Sequence, residues 1–182
     1  MSAVRTAQDV IAFWRQAGPG KWFEKDEAFD RAIRENFYAT YEAAAKGELH
    51  DWEKTPEGAL ALVIVLDQFP RNLFRNDPRA FATDPLALAI AERALTSGVD
   101  RKIEHELVPF IYMPFMHSEN ISDQRRCVDL FNDYGNANNL KFAEIHRDII
   151  ERFGRFPHRN AVLGRDTTPA EQAFLDSGGF SG

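Results

Sequence analysis

The sequence predicts an all-α protein of about eight helices joined by short connections. Three observations carry this reading. Apolar residues recur at helical spacing, as in Phe29, Ile33, Phe37 and Tyr41, which places them on one face. Helix-start devices recur along the chain, each pairing a short polar cap with a proline or an acid. No stretch alternates apolar and polar residues long enough to form a convincing sheet.

Thr6 with Asp9 opens a helix that ends at Gly18-Pro19. A longer one runs from about Asp26 to Lys46, with Gly47 as its stop because glycine tolerates the left-handed cap. Thr55-Pro56 opens a third, since proline suits a first helical position whose N–H has no partner. Leu60, Leu62, Val63, Ile64, Val65 and Leu66 make it apolar nearly all round, the mark of a central buried helix. A strand is the rival for Val63-Ile64-Val65, and the proline cap favours helix. Asp84-Pro85 repeats the cap and leads to Thr96, before Gly98. Pro109 opens a short helix through Met113, which Pro114 disturbs or ends. Ser122 precedes a helix to about Tyr134, and Asn136 to Phe153 is amphipathic through Leu140, Phe142, Ile145 and Ile149. Thr168-Pro169-Ala170-Glu171 is a capping box, in which threonine and glutamate satisfy free N–H groups reciprocally. Short connections make successive helices antiparallel neighbours. No linker divides the 182 residues, so a single domain is expected, with Ser177 to Gly182 as a loose tail.

Composition excludes several classes. Apolar residues make up 44% and charged residues 27%, the balance of a folded globular chain. The single cysteine, Cys127, cannot pair within the chain and favours a reducing compartment. No apolar run suits a membrane span, and Met1 to Gln16 lacks a secretory core, so a cytoplasmic protein with no membrane partner is expected. The net charge of −6 argues against nucleic-acid binding, which needs many cationic phosphate contacts. That charge is uneven. Residues 152–165 hold four arginines and no acid, a local +4, so the rest of the chain carries −10.

Three polar clusters could carry chemistry. The first is Asp67-Gln68-Phe69-Pro70-Arg71-Asn72 at the end of the most apolar helix, where arginine offers a fork for carboxylate or phosphate and asparagine both donates and accepts. The second is His117-Ser118-Glu119-Asn120 with Gln124, in which histidine beside a carboxylate suits proton exchange. The third and densest holds Arg152, Arg155, His158, Arg159, Asn160 and Arg165, an anion site or an ion-pair network with Asp67, Glu119 and Asp166 as available acids. Part of the first cluster is echoed in the third. Phe69-Pro70-Arg71-Asn72 returns as Phe156-Pro157-His158-Arg159-Asn160, each followed by a leucine and then an arginine (Leu73 and Arg75, Leu163 and Arg165).

The five histidines form no tight ligand pair on a helical face, so no metal is expected. Cys127 among Val128, Leu130 and Phe131 reads as a small buried residue. No phosphate-cradling glycine loop occurs and no cofactor is implied.

With these motifs in view, the chain resembles the domain-of-unknown-function 924 family of bacteria. The resemblance rests on Trp22-Phe23, Leu66 to Asn72, Phe81-Ala82-Thr83-Asp84, His117-Ser118-Glu119 with Gln124, Phe153 to Asn160, and Leu163-Gly164-Arg165. It implies an all-helical fold similar to tetratricopeptide repeats and supplies no activity, substrate or cofactor. The family often has a glycine soon after Phe74-Arg75, where this chain has Asn76-Asp77.

The functional expectation is a small-molecule site for a phosphate- or carboxylate-bearing ligand. Arg71, Arg159 and Arg155 would clamp the anion, with Gln68, Asn72, Gln124, Asn160 and Arg165 around it. His158 or His117 would exchange protons, oriented by Asp67 or Glu119, as hydrolysis or group transfer requires. Two alternatives stand beside it. One is a tetratricopeptide-like module that binds an acidic peptide. The other is that the clusters are internal networks that fix helix ends.

Overall fold

A computed structural model describes residues 3–180. Among them there are helices, turns and loops and no strand, so the chain is all-α. They pack into two compact units. One comprises the chain to Arg75 together with Arg79–Pro114; the other comprises Asn76–Pro78 and the chain from Phe115 onward.

The first unit holds α1 (Ala7–Ala17), α2 (Pro19–Trp22), α3 (Glu27–Ala45), α4 (Pro56–Val63), α5 (Phe69–Leu73) and α6 (Asp84–Thr96). The expected caps form. Thr6 and Asp9 make a capping box on α1, and the Thr55 hydroxyl accepts the Gly58 N–H on α4. Helix α3 ends in a Schellman turn, with the Gly47 N–H donating to Ala44 and that of Glu48 to Ala43. Every residue of α4 from Gly58 to Val63 is buried, and α1 and α6 both pack on it. Phe29, Ile33, Phe37 and Tyr41 are buried along one face of α3. The Phe29 and Phe37 rings join Phe13, Trp14, Trp22, Phe69 and Phe110 in an aromatic core, in which the Trp22 indole N–H donates to the Trp14 carbonyl at 2.7 Å.

Helix α7 (Val108–His117) continues past Pro114, where a disturbance or an end was expected. Proline removes one backbone bond. Burial of Phe110, Ile111, Phe115 and Met116 along the same segment outweighs that loss.

In the second unit α8 (Ile121–Tyr134) and α9 (Ala137–Phe153) form a helical hairpin across Gly135 and Asn136. Gly135 takes the left-handed conformation, and the Asn136 side chain caps α9. Ile149, Ile150 and Phe156 form its core, with Ile145, Phe153 and Phe174 packed against them. Cys127 is fully buried and burial pushes its thiol up, as a packing residue requires. Helix α10 (Pro169–Asp176) starts at the Thr168–Glu171 capping box. Ser181 and Gly182, the end of the tail expected to be loose, lie outside the described residues.

Asn76 adopts φ +60°. Asparagine is the non-glycine residue best suited to that left-handed region. Asn76→Val should cost about 1–2 kcal/mol in urea unfolding, whereas Asn76→Gly should be tolerated.

Candidate functional site

The first cluster sits on a distorted helix. Between α4 and α5, Ile64–Gln68 forms a π turn, in which the Phe69 N–H reaches back to the Ile64 carbonyl. The sequence reading anticipates a plain helix and a proline stop, and the distortion has a local cause. Pro70 has no N–H to give the Leu66 carbonyl, one α-helical step behind it. The Thr83 hydroxyl donates to that carbonyl instead, at 2.6 Å. Helix α6 consequently begins at Thr83 with no side-chain cap bond. Asp84, expected to cap it, pairs with Arg71 instead, accepting two guanidinium bonds at 2.9 and 3.0 Å.

Single-turn π segments recur at functional sites because the widened turn re-aims its side chains. Here they are Asp67, which is 0% exposed, and Gln68, which is buried. The Gln68 amide donates to the Asp67 carboxylate at 2.5 Å and approaches the Met113 sulfur at 3.5 Å. Arg71 also donates to the Asp67 carbonyl and lies 3.6 Å from its carboxylate. Asn72 donates to Asp30 at 2.8 Å, and Arg75 makes two bonds to the same carboxylate. Arg71 and Asn72 therefore tie α5 to α6 and α3.

The arginine-rich third cluster resolves into two carboxylate pairs. Arg155 makes two bonds to Glu171, at 2.6 and 2.9 Å, and a third to the Asp166 carbonyl. Arg165 makes two bonds to Glu119, at 2.7 and 3.0 Å, and two more to Asn160 and the Phe156 carbonyl. Glu119 also accepts the Phe156 N–H, and Asn160 donates to Glu171. Glu119 is thereby fixed as the anchor of the loop after α9. The repeated motif is alike in part: Asn72 and Asn160 each donate to a buried or half-buried carboxylate, but Arg75 shares the Asp30 carboxylate with Asn72, whereas Arg165 pairs with Glu119 and Asn160 bonds to Glu171. Glu171 was visible in sequence only as a capping-box residue. Arg152 stacks on Phe153 and Phe174.

Gln124 is fully buried and closes the end of α7. Its amide nitrogen faces the carbonyls of Phe115, Met116 and Ser118 at 3.3, 2.7 and 2.6 Å, the orphan acceptors of a helix terminus. The same arrangement explains why a glutamine one turn into the next helix belongs to the motif.

What remains is a group of basic side chains around His146, which was not among the expected site residues. His146 is buried, and its Nδ1 lies 2.7 Å from the Phe142 carbonyl, so Nδ1–H is the donor. Burial pushes its pKa down to about 3, against the Phe142 bond and together with the neighbouring His117, His158 and Arg159. Phe156 lies 5.5 Å from His146 and 5.6 Å from His158. The Arg159 guanidinium, on a buried side chain, covers the Phe156 ring at 4.6 Å and donates to the His117 carbonyl at 3.1 Å. A signal for His146 existed in the sequence: it follows Phe142 by four residues and precedes Ile149 by three, so it shares their apolar face. Among the described residues no group of three or more His, Cys, Asp or Glu is arranged to hold a metal ion.

These features define an all-helical protein with two networks of buried polar side chains, one in each unit. The chain belongs to the bacterial family of unknown function DUF924, whose model matches residues 10–179. It is similar to a solved structure of a protein of unknown function from Agrobacterium tumefaciens, 48% identical, with a TM-score of 0.91 over 94% of this chain and 97% of that one. No curated protein matches it.

Two measurements follow from these networks. Thr83→Val keeps the shape but strips the Leu66 carbonyl of its donor, which should cost about 1–3 kcal/mol in urea unfolding, while Thr83→Ser should recover most of it. Acid should weaken the second unit in two stages. The folded pKa of His146 lies below its unfolded value of 6.5, so the unfolded chain takes up the proton first and stability falls as pH drops below 6.5. Glu171 is held at about 2, chiefly by Arg155, and its contribution, complete above its ordinary 4.5, is lost from there down towards 2. His146→Phe should remove from the first stage a slope of about 1.4 kcal/mol per pH unit, read by urea unfolding between pH 6.5 and 4.5.

Proposed function

We propose that the chain binds a small phosphate- or carboxylate-bearing molecule at the histidine–arginine cluster of its second unit. The supporting observation is the setting of His146: it is buried, and the basic side chains His117, His158 and Arg159 act on it. A guanidinium beside imidazoles offers an anion one fixed positive charge and several N–H donors. Of the arginines expected to form the clamp, Arg71 and Arg155 hold carboxylates within their own units. The proposed anion contact is Arg159, the arginine that acts on His146, with His158 and His117 half-buried beside it. Those two histidines are the groups to exchange protons with the bound molecule, as hydrolysis or group transfer requires.

A tetratricopeptide-like module for an acidic peptide would need its cationic groups on an open face. The burial of Arg159 and His146 favours a small ligand. For Arg71, Arg155, Arg165, Glu119, Asn160 and Gln124 the bonds made support a structural role.

The test is thermal-shift and calorimetric titration of the chain with inorganic phosphate, citrate and a panel of phosphorylated and carboxylated metabolites. A true ligand at a hundred times its dissociation constant should stabilise the chain by about 2.7 kcal/mol. Arg159→Ala and His158→Ala should abolish that gain. Shifts that survive both substitutions would remove the basis of the proposal.

A further inference from the structure

We infer that His146 is the specificity-determining residue of the anion site, and that the ligand carries an O–H donor of its own beside its negative charge, as a hydroxycarboxylate or a protonated phosphate does. This rests on the anion-site reading above and adds an acceptor to it. The Phe142 carbonyl, 2.7 Å from His146 Nδ1, can only accept, so Nδ1 carries the proton. Burial keeps the ring neutral, with a pKa of about 3, and in a neutral imidazole the second nitrogen is a lone-pair acceptor. The two nitrogens sit on opposite edges of the ring, so tying Nδ1 to the backbone of α9 turns Nε2 away from it. Among the described residues no group donates to Nε2, although His146 is only 7% exposed. A buried acceptor of this kind calls for a donor from outside the chain.

The imidazole is held firmly where it can select. Phe156 packs against it at 5.5 Å and Phe180 at 4.5 Å, centroid to centroid. His158 packs on the same two rings, and the Arg159 guanidinium covers Phe156 at 4.6 Å. A lone pair and a fixed positive charge are thus arranged around one phenylalanine. The guanidinium attracts any anion. The lone pair does not: it accepts a bond from a hydroxyl and repels a bare acetate or sulfate oxygen. An acceptor that the right ligand satisfies and the wrong one leaves unpaired discriminates where charge alone cannot.

The experiment titrates the whole chain by calorimetry near neutral pH with two matched pairs of anions: glycolate against acetate, and inorganic phosphate against sulfate. Glycolate differs from acetate by a hydroxyl. Phosphate at this pH keeps at least one O–H, and sulfate has none. The donor-bearing anion should bind about tenfold more tightly in at least one pair, and the pair that discriminates names the source of the donor. His146→Phe keeps an aromatic ring and removes the nitrogen, so it should bring that ratio to about one while the anions still bind. A second reading needs no substitution. In the native chain with isotope-labelled histidine, the His146 Nε2 resonance should move on addition of the preferred anion and stay in place with its counterpart. Equal affinities within both pairs overturn the inference and leave the anion site standing, for the nitrogen then serves only water. Discrimination that survives His146→Phe, or a preferred anion that leaves the Nε2 resonance unmoved, overturns it as well. Binding of none of the four anions removes the anion site itself, and the inference with it.

Discussion

A proline in a buried helix leaves a carbonyl that water cannot reach, and a donor has to be found for it. Thr83 supplies that donor to Leu66, and much of the first unit follows from this bond. It removes Thr83 from capping α6. It sits beside the Arg71–Asp84 pair that ties the same two segments together. It also accompanies the widened turn that buries Asp67 and Gln68. The second unit meets the same demand at the end of α7, where the Gln124 amide gathers three terminal carbonyls, and at the loop after α9, where Glu119 takes up the Phe156 N–H. Unpaired buried polar groups cost more than the bonds that satisfy them return. The motifs of this chain are largely answers to that asymmetry.

The uneven charge has the same logic. The local +4 of residues 152–165 is divided rather than pooled. Arg155 and Arg165 each take a carboxylate in a two-pronged pair, Arg152 lies on aromatic rings, and Arg159 turns towards the histidines. One stretch of sequence thus yields both scaffold and candidate site, and composition alone cannot separate them.

The helices were legible because their signals are local. Thr6, Thr55 and Thr168 cap where their spacing to later residues says they should, and Gly47 stops α3 through its own backbone conformation. The failures were of another kind. Whether Pro114 breaks a helix depends on how much apolar surface its neighbours bury. Whether Asp84 caps depends on an arginine thirteen residues away. His146 shows in sequence only its place on an apolar helix face, and the approach of His117, His158 and Arg159 gives it a setting. Long-range partners decide these cases, and a single sequence does not display them.

The π turn can also be read as a record of insertion. A helix that gains one residue without lengthening bulges into this form, and the wide turn takes up the extra residue so that the side chains beyond keep their direction. Removing one residue from Ile64–Gln68 would restore regular α geometry and leave Arg71 facing Asp84 and Asn72 facing Asp30. What such a deletion displaces is the pair inside the wide turn, Asp67 and Gln68. The bonds that tie this helix to its neighbours tolerate a change of length that its buried polar pair does not.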